Sequence, residues 1–302
     1  MSIRPVRLVA AIGVLAALTA CGQSGSAAPP AGDDDSIPVV ASTNVWASVA
    51  SAVGGNEVDV RAIVADPAGD PHSHRVSAKD AAQLRGAQLV VFNGGGYDDF
   101  VRQALGDGDD GRGPRLVEAF ELRPDKAAEN EHVWYDLPTV AMVAGEIAAQ
   151  LSQLRPEAKA AFVANADAFD AKLDELEGKV SDLGTASGGR SAGATEPVAH
   201  YLLQAAKLTD ATPEEFVEAI EEETDPPAAA VAQVQRLVSE RRITVLVHNP
   251  QTETPVVTDL VAQAHAAGIP VVDMTETLPD GQDYLTWMGN QIKALSEALT
   301  SP

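Results

Sequence analysis

Short β-branched runs alternate with segments of helical spacing along most of this chain. Residues 38–43 (PVVAST) form an apolar run ending in a turn, which predicts a buried strand. In the next segment Val45, Val49 and Val53 share one helical face, and Gly54 and Gly55 close it. Residues 58–64 (VDVRAIV) predict a second strand. Ser77, with Asp80 three residues on, resembles a capping box and predicts a helix start. Residues 88–93 (QLVVFN) read as a third strand, followed by a glycine turn (GGGYDDF) into a helix. Strand and helix in alternation predict parallel sheets, hence an α/β class.

The rhythm breaks over residues 106–131, where a glycine- and acid-rich loop (GDGDDGRGP) and a second polar stretch (RPDKAAENE) predict irregular structure. After Asp136 a helix follows, and a second one starts at Pro156, a favourable first-turn residue. In this second helix Phe162, Phe169, Leu173, Leu176 and Val180 form one apolar stripe. Residues 184–195 (GTASGGRSAGAT) mark a boundary. The second half then repeats the theme. It has a helix from Glu196, a strand in RRITVLVHN, a helix closed by Gly268, a strand in IPVVDM and a final helix from Tyr284. The expectation is two parallel-sheet α/β lobes, 37–155 and 185–302, joined by a long rigid helix over 156–184.

The amino terminus departs from this pattern. Arg4 and Arg7 precede an apolar run, Leu8 to Leu18, too short to span a membrane, so residues 1–20 read as an export signal. Cys21, the only cysteine, ends the sequence LTAC, which resembles a bacterial lipobox. A lipid on Cys21 would tether the chain to the outer face of a membrane. A lone cysteine also excludes a disulfide framework and a cysteine-based zinc site. Residues 21–36 are small and polar, a flexible tether. A net charge of −23 argues against a nucleic-acid partner and favours cation attraction.

Candidate chemistry follows from where the imidazoles and carboxylates fall. Divalent transition metals bind both groups, and open α/β sheets hold ligands at the carboxyl ends of strands. His72 follows the strand 58–64, His132 follows the irregular segment, Glu196 precedes a helix opened by Pro197, and Glu276 follows the last strand. Two come from each half, as a site between lobes requires. Dispersed ligands have no local signature, so spacing alone leaves the set open.

Five segments together resemble the cluster A-I metal-binding proteins of bacterial ABC importers, from about residue 37 to the end of the chain. GDPHSH (69–74) resembles their Asp-Pro-His-x-Tyr motif, and EHVWYD (131–136) their Asn-Pro-His-x-Trp-x-Asp-Pro motif. TEPVAHYLLQAAKL (195–208) is similar to their Ser-Glu-x-x-x-x-Tyr helix. NGGGYDDF (93–100) and TETLPDGQDYLTWMGNQIKAL (275–295) resemble two further segments. The resemblance implies His72, His132, Glu196 and Glu276 as ligands of Zn²⁺ or Mn²⁺. It departs at Asn130-Glu131, where the family has Asn-Pro, and at Glu276, where it usually has Asp. Asp273 and Asp280 therefore remain alternatives. The third ligand is Glu196, as in manganese-type members, and the segment 106–131 lacks the histidines that many zinc-type members carry. Both metals stay open, because Zn²⁺ accepts the same donors.

The other histidines have simpler readings. His74 stands where the family has Tyr and is either an exposed loop residue or a support that orients His72. His200, four residues after Glu196, shares its helical face and is a support or an alternative ligand. His248 and His265 read as structural. The implied function is a monomeric lipoprotein, anchored on the extracytoplasmic face of the cell membrane, that passes a metal to an ABC permease and its ATPase. Four protein ligands close such a site, whereas catalytic zinc keeps an open position. The long helix implies small lobe movements on release. Two other functions compete. An extracellular metallohydrolase would need an activated water and base, and no His-Glu-x-x-His occurs. A receptor for a siderophore or cobalamin chelate would need more aromatic or arginine residues than this chain offers.

Overall fold

A computed structural model describes residues 36–67, 69, 71–106 and 113–300. Cys21, the export signal, the tether up to residue 35 and Asp70 of the first motif lie outside the described residues. The first half contains β1 (Ile37–Thr43), α1 (Asn44–Gly54), β2 (Val58–Val64), α2 (Ala78–Gly86), β3 (Leu89–Phe92), α3 (Phe100–Leu105), β4 (Arg115–Glu118), α4 (Ala119–Leu122) and α5 (Leu137–Leu154). Its four strands are parallel in the order β2-β1-β3-β4. After α6 (Lys159–Ser187) come β5 (Ser191–Ala194), α7 (His200–Ala205), β6 (Thr209–Asp210), α8 (Glu214–Glu221), α9 (Ala228–Ser239), β7 (Val245–His248), α10 (Pro255–Ala267), β8 (Val271–Asp273) and α11 (Tyr284–Thr300). The second sheet is again parallel, ordered β6-β5-β7-β8. The two sheets thus share one topology. In each, the connection from the central first strand runs to one neighbour and the later strands lie on its other side. That reversal leaves a crevice at the carboxyl ends, where ligands bind in open α/β sheets.

Local chemistry explains the element ends. Ser77 and Asp80 form a reciprocal capping box on α2, with Asp80 N–H donating to Ser77 Oγ at 3.2 Å and Ser77 N–H to Asp80 Oδ2 at 2.9 Å. Thr254 caps α10, and Gly268 ends it in the left-handed conformation at φ 71°.

Two segments differ from the sequence expectation. Residues 106–131 include β4 and α4, and residues 184–195 include the last turn of α6 and the whole of β5. β5 (SAGA) lacks β-branched residues. It is a strand because it pairs with β6 and β7 in the sheet interior, and a side chain at Gly193 would meet Ile243 Cδ1 at 2.8 Å. The second helix begins with a 3₁₀ turn, Pro156–Ala158.

One apolar core runs through both lobes. It links Val39 and Val91 of the first sheet with Trp134, Phe169, Leu176, Val247 and Leu295. The stripe on α6 (Phe162, Phe169, Leu173, Leu176, Val180) is buried within it. Each such residue contributes about 1.5–3 kcal/mol of burial free energy, so α6 is fixed to both halves. No helix among the described residues is long and apolar enough to cross a membrane.

Candidate metal centre

The crevice brings together residues from both halves. His72 lies in the loop after β2, and His132 immediately precedes a 3₁₀ turn, Val133–Tyr135. Glu276 follows β8. One ligand-type atom from each of these three lies within 4.8 Å of the others. His132 and Glu276 are buried, and the His72 side chain is 21% exposed. His72 Nε2 is 3.6 Å from Glu276 Oε2.

Each group is held in place. Asn130 Oδ1 accepts from His132 N–H at 2.9 Å and lies 3.2 Å from His132 Nδ1. Asn130 Nδ2 donates to the Pro197 carbonyl at 3.1 Å, which fixes the amide orientation. The acceptor at Nδ1 therefore places the ring proton there and leaves the lone pair on Nε2, the arrangement a metal ligand needs. Burial, with the neighbouring His72 and His200, holds His132 well below the usual histidine range, so the ring stays neutral. Tyr97 Oη donates to Glu276 Oε2 at 2.9 Å, and its ring packs edge-on to His72 at 4.7 Å. Asn249, which follows β7, donates through Nδ2 to Glu276 Oε1 at 2.9 Å and also to Glu196 Oε1.

Glu196 follows β5 and is 1% exposed. Its Oε2 accepts from Thr252 Oγ1 at 2.6 Å, so its link to Glu276 runs through Asn249. Two buried carboxyl groups on one amide form a pocket whose negative charge, when they ionise, a divalent cation would neutralise. Of the alternatives, Asp273 is exposed and lies 2.8 Å from His248 Nδ1, and Asp280 is exposed. His74 Nε2 lies 3.3 Å from Asp80 Oδ2, and its ring packs against Phe100 at 4.8 Å. His200 is exposed and packs on Tyr201.

Further hydrogen bonds cross between the lobes around the cluster. Gln251 Nε2 donates to the Gly69 carbonyl at 2.8 Å, Tyr201 Oη to that of Asn130 at 2.5 Å, and Tyr135 Oη to that of Thr275 at 2.9 Å. Asn44 bonds Leu278 twice, through its amide nitrogen and oxygen.

Sequence reasoning did not single out Tyr97, Asn249, Thr252 or Glu221. The strand-end rule that found His72 would also have found Asn249, had it been applied to amides. Glu221, the last residue of α8, has Oε1 3.4 Å from His132 Nε2. Burial, reinforced by Glu131, Glu196, Glu218 and Glu222, pushes its carboxyl up to about 8.

Two parallel sheets with a long intervening helix, and two imidazoles converging with a buried carboxylate, define a metal-receptor fold. Residues 39–298 match the family model for the zinc-uptake complex component A, periplasmic, and the chain belongs to this family. The manganese-binding lipoprotein MntA of Bacillus subtilis is 30% identical over 170 residues, 53% of each chain. The iron ABC transporter substrate-binding lipoprotein MtsA of Streptococcus pyogenes is 27% identical over 179 residues, covering 53% of this chain and 54% of MtsA. The chain spans about half the length of the curated relatives it matches. Among solved structures, the periplasmic zinc binding protein TroA from Treponema pallidum superimposes with a TM-score of 0.73 at 17% identity, covering 88% of this chain and all of TroA. FpvC from Pseudomonas aeruginosa in complex with Mn²⁺ gives 0.72 at 19% identity, over 87% and 98% of the chains. These likenesses establish the two-lobed fold.

Proposed function

We propose that this protein is an extracytoplasmic solute-binding lipoprotein that captures Zn²⁺ or Mn²⁺ and delivers it to an ABC permease driven by its ATPase. The observation that carries this reading is the convergence of His72, His132 and Glu276 within 4.8 Å, from opposite halves of the chain. Glu196 completes the set as the fourth ligand, beside Glu276 on the Asn249 amide. The ion is cargo, and no catalysis is asked of the site. Two imidazoles and two carboxylates suit Mn²⁺ and accept Zn²⁺. Names among the relatives, a manganese-binding lipoprotein and an iron ABC transporter substrate-binding lipoprotein, support a transition-metal cargo and a lipid anchor. Here the anchor is Cys21, and the receptor works as a monomer on the outer face of the cell membrane.

Elemental analysis of the delipidated protein after competition between Mn²⁺ and Zn²⁺ tests the reading. One equivalent of bound metal is expected, lost in His72→Ala and in Glu276→Ala. Full stoichiometry in both variants would reject the site.

A further inference from the structure

A second set of ligand-type atoms converges at the mouth of the crevice. His72, Glu131 and Glu221 each place one such atom within 4.8 Å of the other two. All three residues are half-buried, whereas His132 and Glu276 of the inner set are buried. They come from the loop after β2, the segment before the 133–135 turn and the end of α8. The surface concavity they line also carries Glu218, Glu222 and Glu223, and its described lining residues include no lysine or arginine.

The set is more than an acidic patch. His132 is fully buried, and its Nε2 has no hydrogen-bond partner yet sits 3.4 Å from Glu221 Oε1. Glu221 Oε1 is likewise without a hydrogen bond. An inner imidazole is thus aimed at an outer carboxylate, and His72 belongs to both sets.

We propose that His72, Glu131 and Glu221 form an outer divalent-cation site that captures the ion at the mouth and passes it, through His72, to the buried cluster. The proposal rests on the inner cluster being the cargo site. An ion bound for a buried position must shed its water. Two carboxylates and an imidazole replace part of that shell while the ion is still near solvent, and this donor set suits Mn²⁺ and Zn²⁺.

The test is stopped-flow mixing of the apoprotein with Mn²⁺ alone, read by the fluorescence of Trp134, whose ring lies 5.1 Å from that of His132. Glu131→Gln and Glu221→Gln are each expected to slow association about tenfold. Glu222→Gln makes the same carboxyl-to-amide change at the same mouth and is expected to slow it less than about threefold. A parallel experiment uses the double variant His132→Ala, Glu276→Ala. Electron paramagnetic resonance should find one weakly held Mn²⁺, lost when Glu221→Gln is added. Equal rates in the Glu221, Glu131 and Glu222 variants would reduce the mouth to charge steering and overturn the proposal. So would the absence of weakly held Mn²⁺ in the double variant. A wild-type protein that takes up neither Mn²⁺ nor Zn²⁺ at equilibrium would instead reject the inner site, and the outer one with it.

Discussion

Tyr97→Phe deletes one oxygen and leaves the ring that packs on His72 and, at 4.7 Å, on Trp134. The lost hydroxyl donates to Glu276 Oε2, the same oxygen that faces His72 Nε2 at 3.6 Å. A carboxylate oxygen has lone pairs for both a hydroxyl and a metal. Tyr97 can therefore keep its bond when an ion arrives and hold Glu276 in position. A hydrogen bond to a charged acceptor contributes about 1.5–3 kcal/mol. Loss of a partner that orients a metal ligand typically costs about 10–100-fold in affinity. The two magnitudes agree, because about 1.4 kcal/mol is tenfold. Tyr97→Phe should therefore weaken Zn²⁺ or Mn²⁺ binding by about 10–100-fold, measured by competition with a chelator of known affinity. Folding should be little changed, since the ring stays. Affinity within threefold of wild type, or tighter, would refute the reasoning. It would mean that the tyrosine holds Glu276 in a pose that metal binding must first break.

Three further outcomes are expected. Asp98 is buried, accepting from the backbone N–H groups of Asn93 at 2.6 Å and Gly94 at 2.8 Å, and burial pushes its carboxyl up to about 6 from 3.8. Its stabilising contribution is present in full below pH 3.8 and lost as pH rises through about 6. Urea denaturation of the apoprotein should thus show wild type losing about 3 kcal/mol relative to Asp98→Asn between pH 3.8 and 7, with a flat difference refuting the burial argument. Gly94→Ala should destabilise by about 2–4 kcal/mol, because Gly94 sits at φ 77° and an added Cβ would press on Cγ of Glu118 at 2.5 Å. A normal denaturation midpoint would show that Glu118 simply swings away. Ser77→Ala should cost about 1 kcal/mol through loss of the α2 cap, read as a shifted urea midpoint with unchanged metal affinity.

Much of this fold is legible in residue pattern, and the exceptions have physical reasons. β1 and β3 declare themselves as apolar runs because their strands are buried. β4 does not, since Arg115 and Leu116 are exposed on a strand that, among the described residues, pairs with β3 alone. β5 is written in small residues whose strand character comes from its neighbours in the sheet. Of the candidate site, His72, His132 and Glu276 were reachable from strand ends and motif resemblance. Glu196 was too, although its place in the set was not a matter of local spacing. Tyr97 and Asn249 act by touching residues far along the chain, and no local pattern announces that. Glu221 owes its position to where α8 ends against the crevice, which is a property of packing.

The unbroken core along α6 also bears on unloading. Two lobes that share one apolar body cannot swing apart without exposing that body to water. Under the proposed function, the angle between them is therefore a poor signal for a permease to read. Opening would instead have to break the hydrogen bonds that tie the crevice segments together, such as Gln251 to the Gly69 carbonyl. If the proposed function holds, a transporter would empty this protein by prying at the rim, as one opens a setting to free a stone, while the body of the protein stays still.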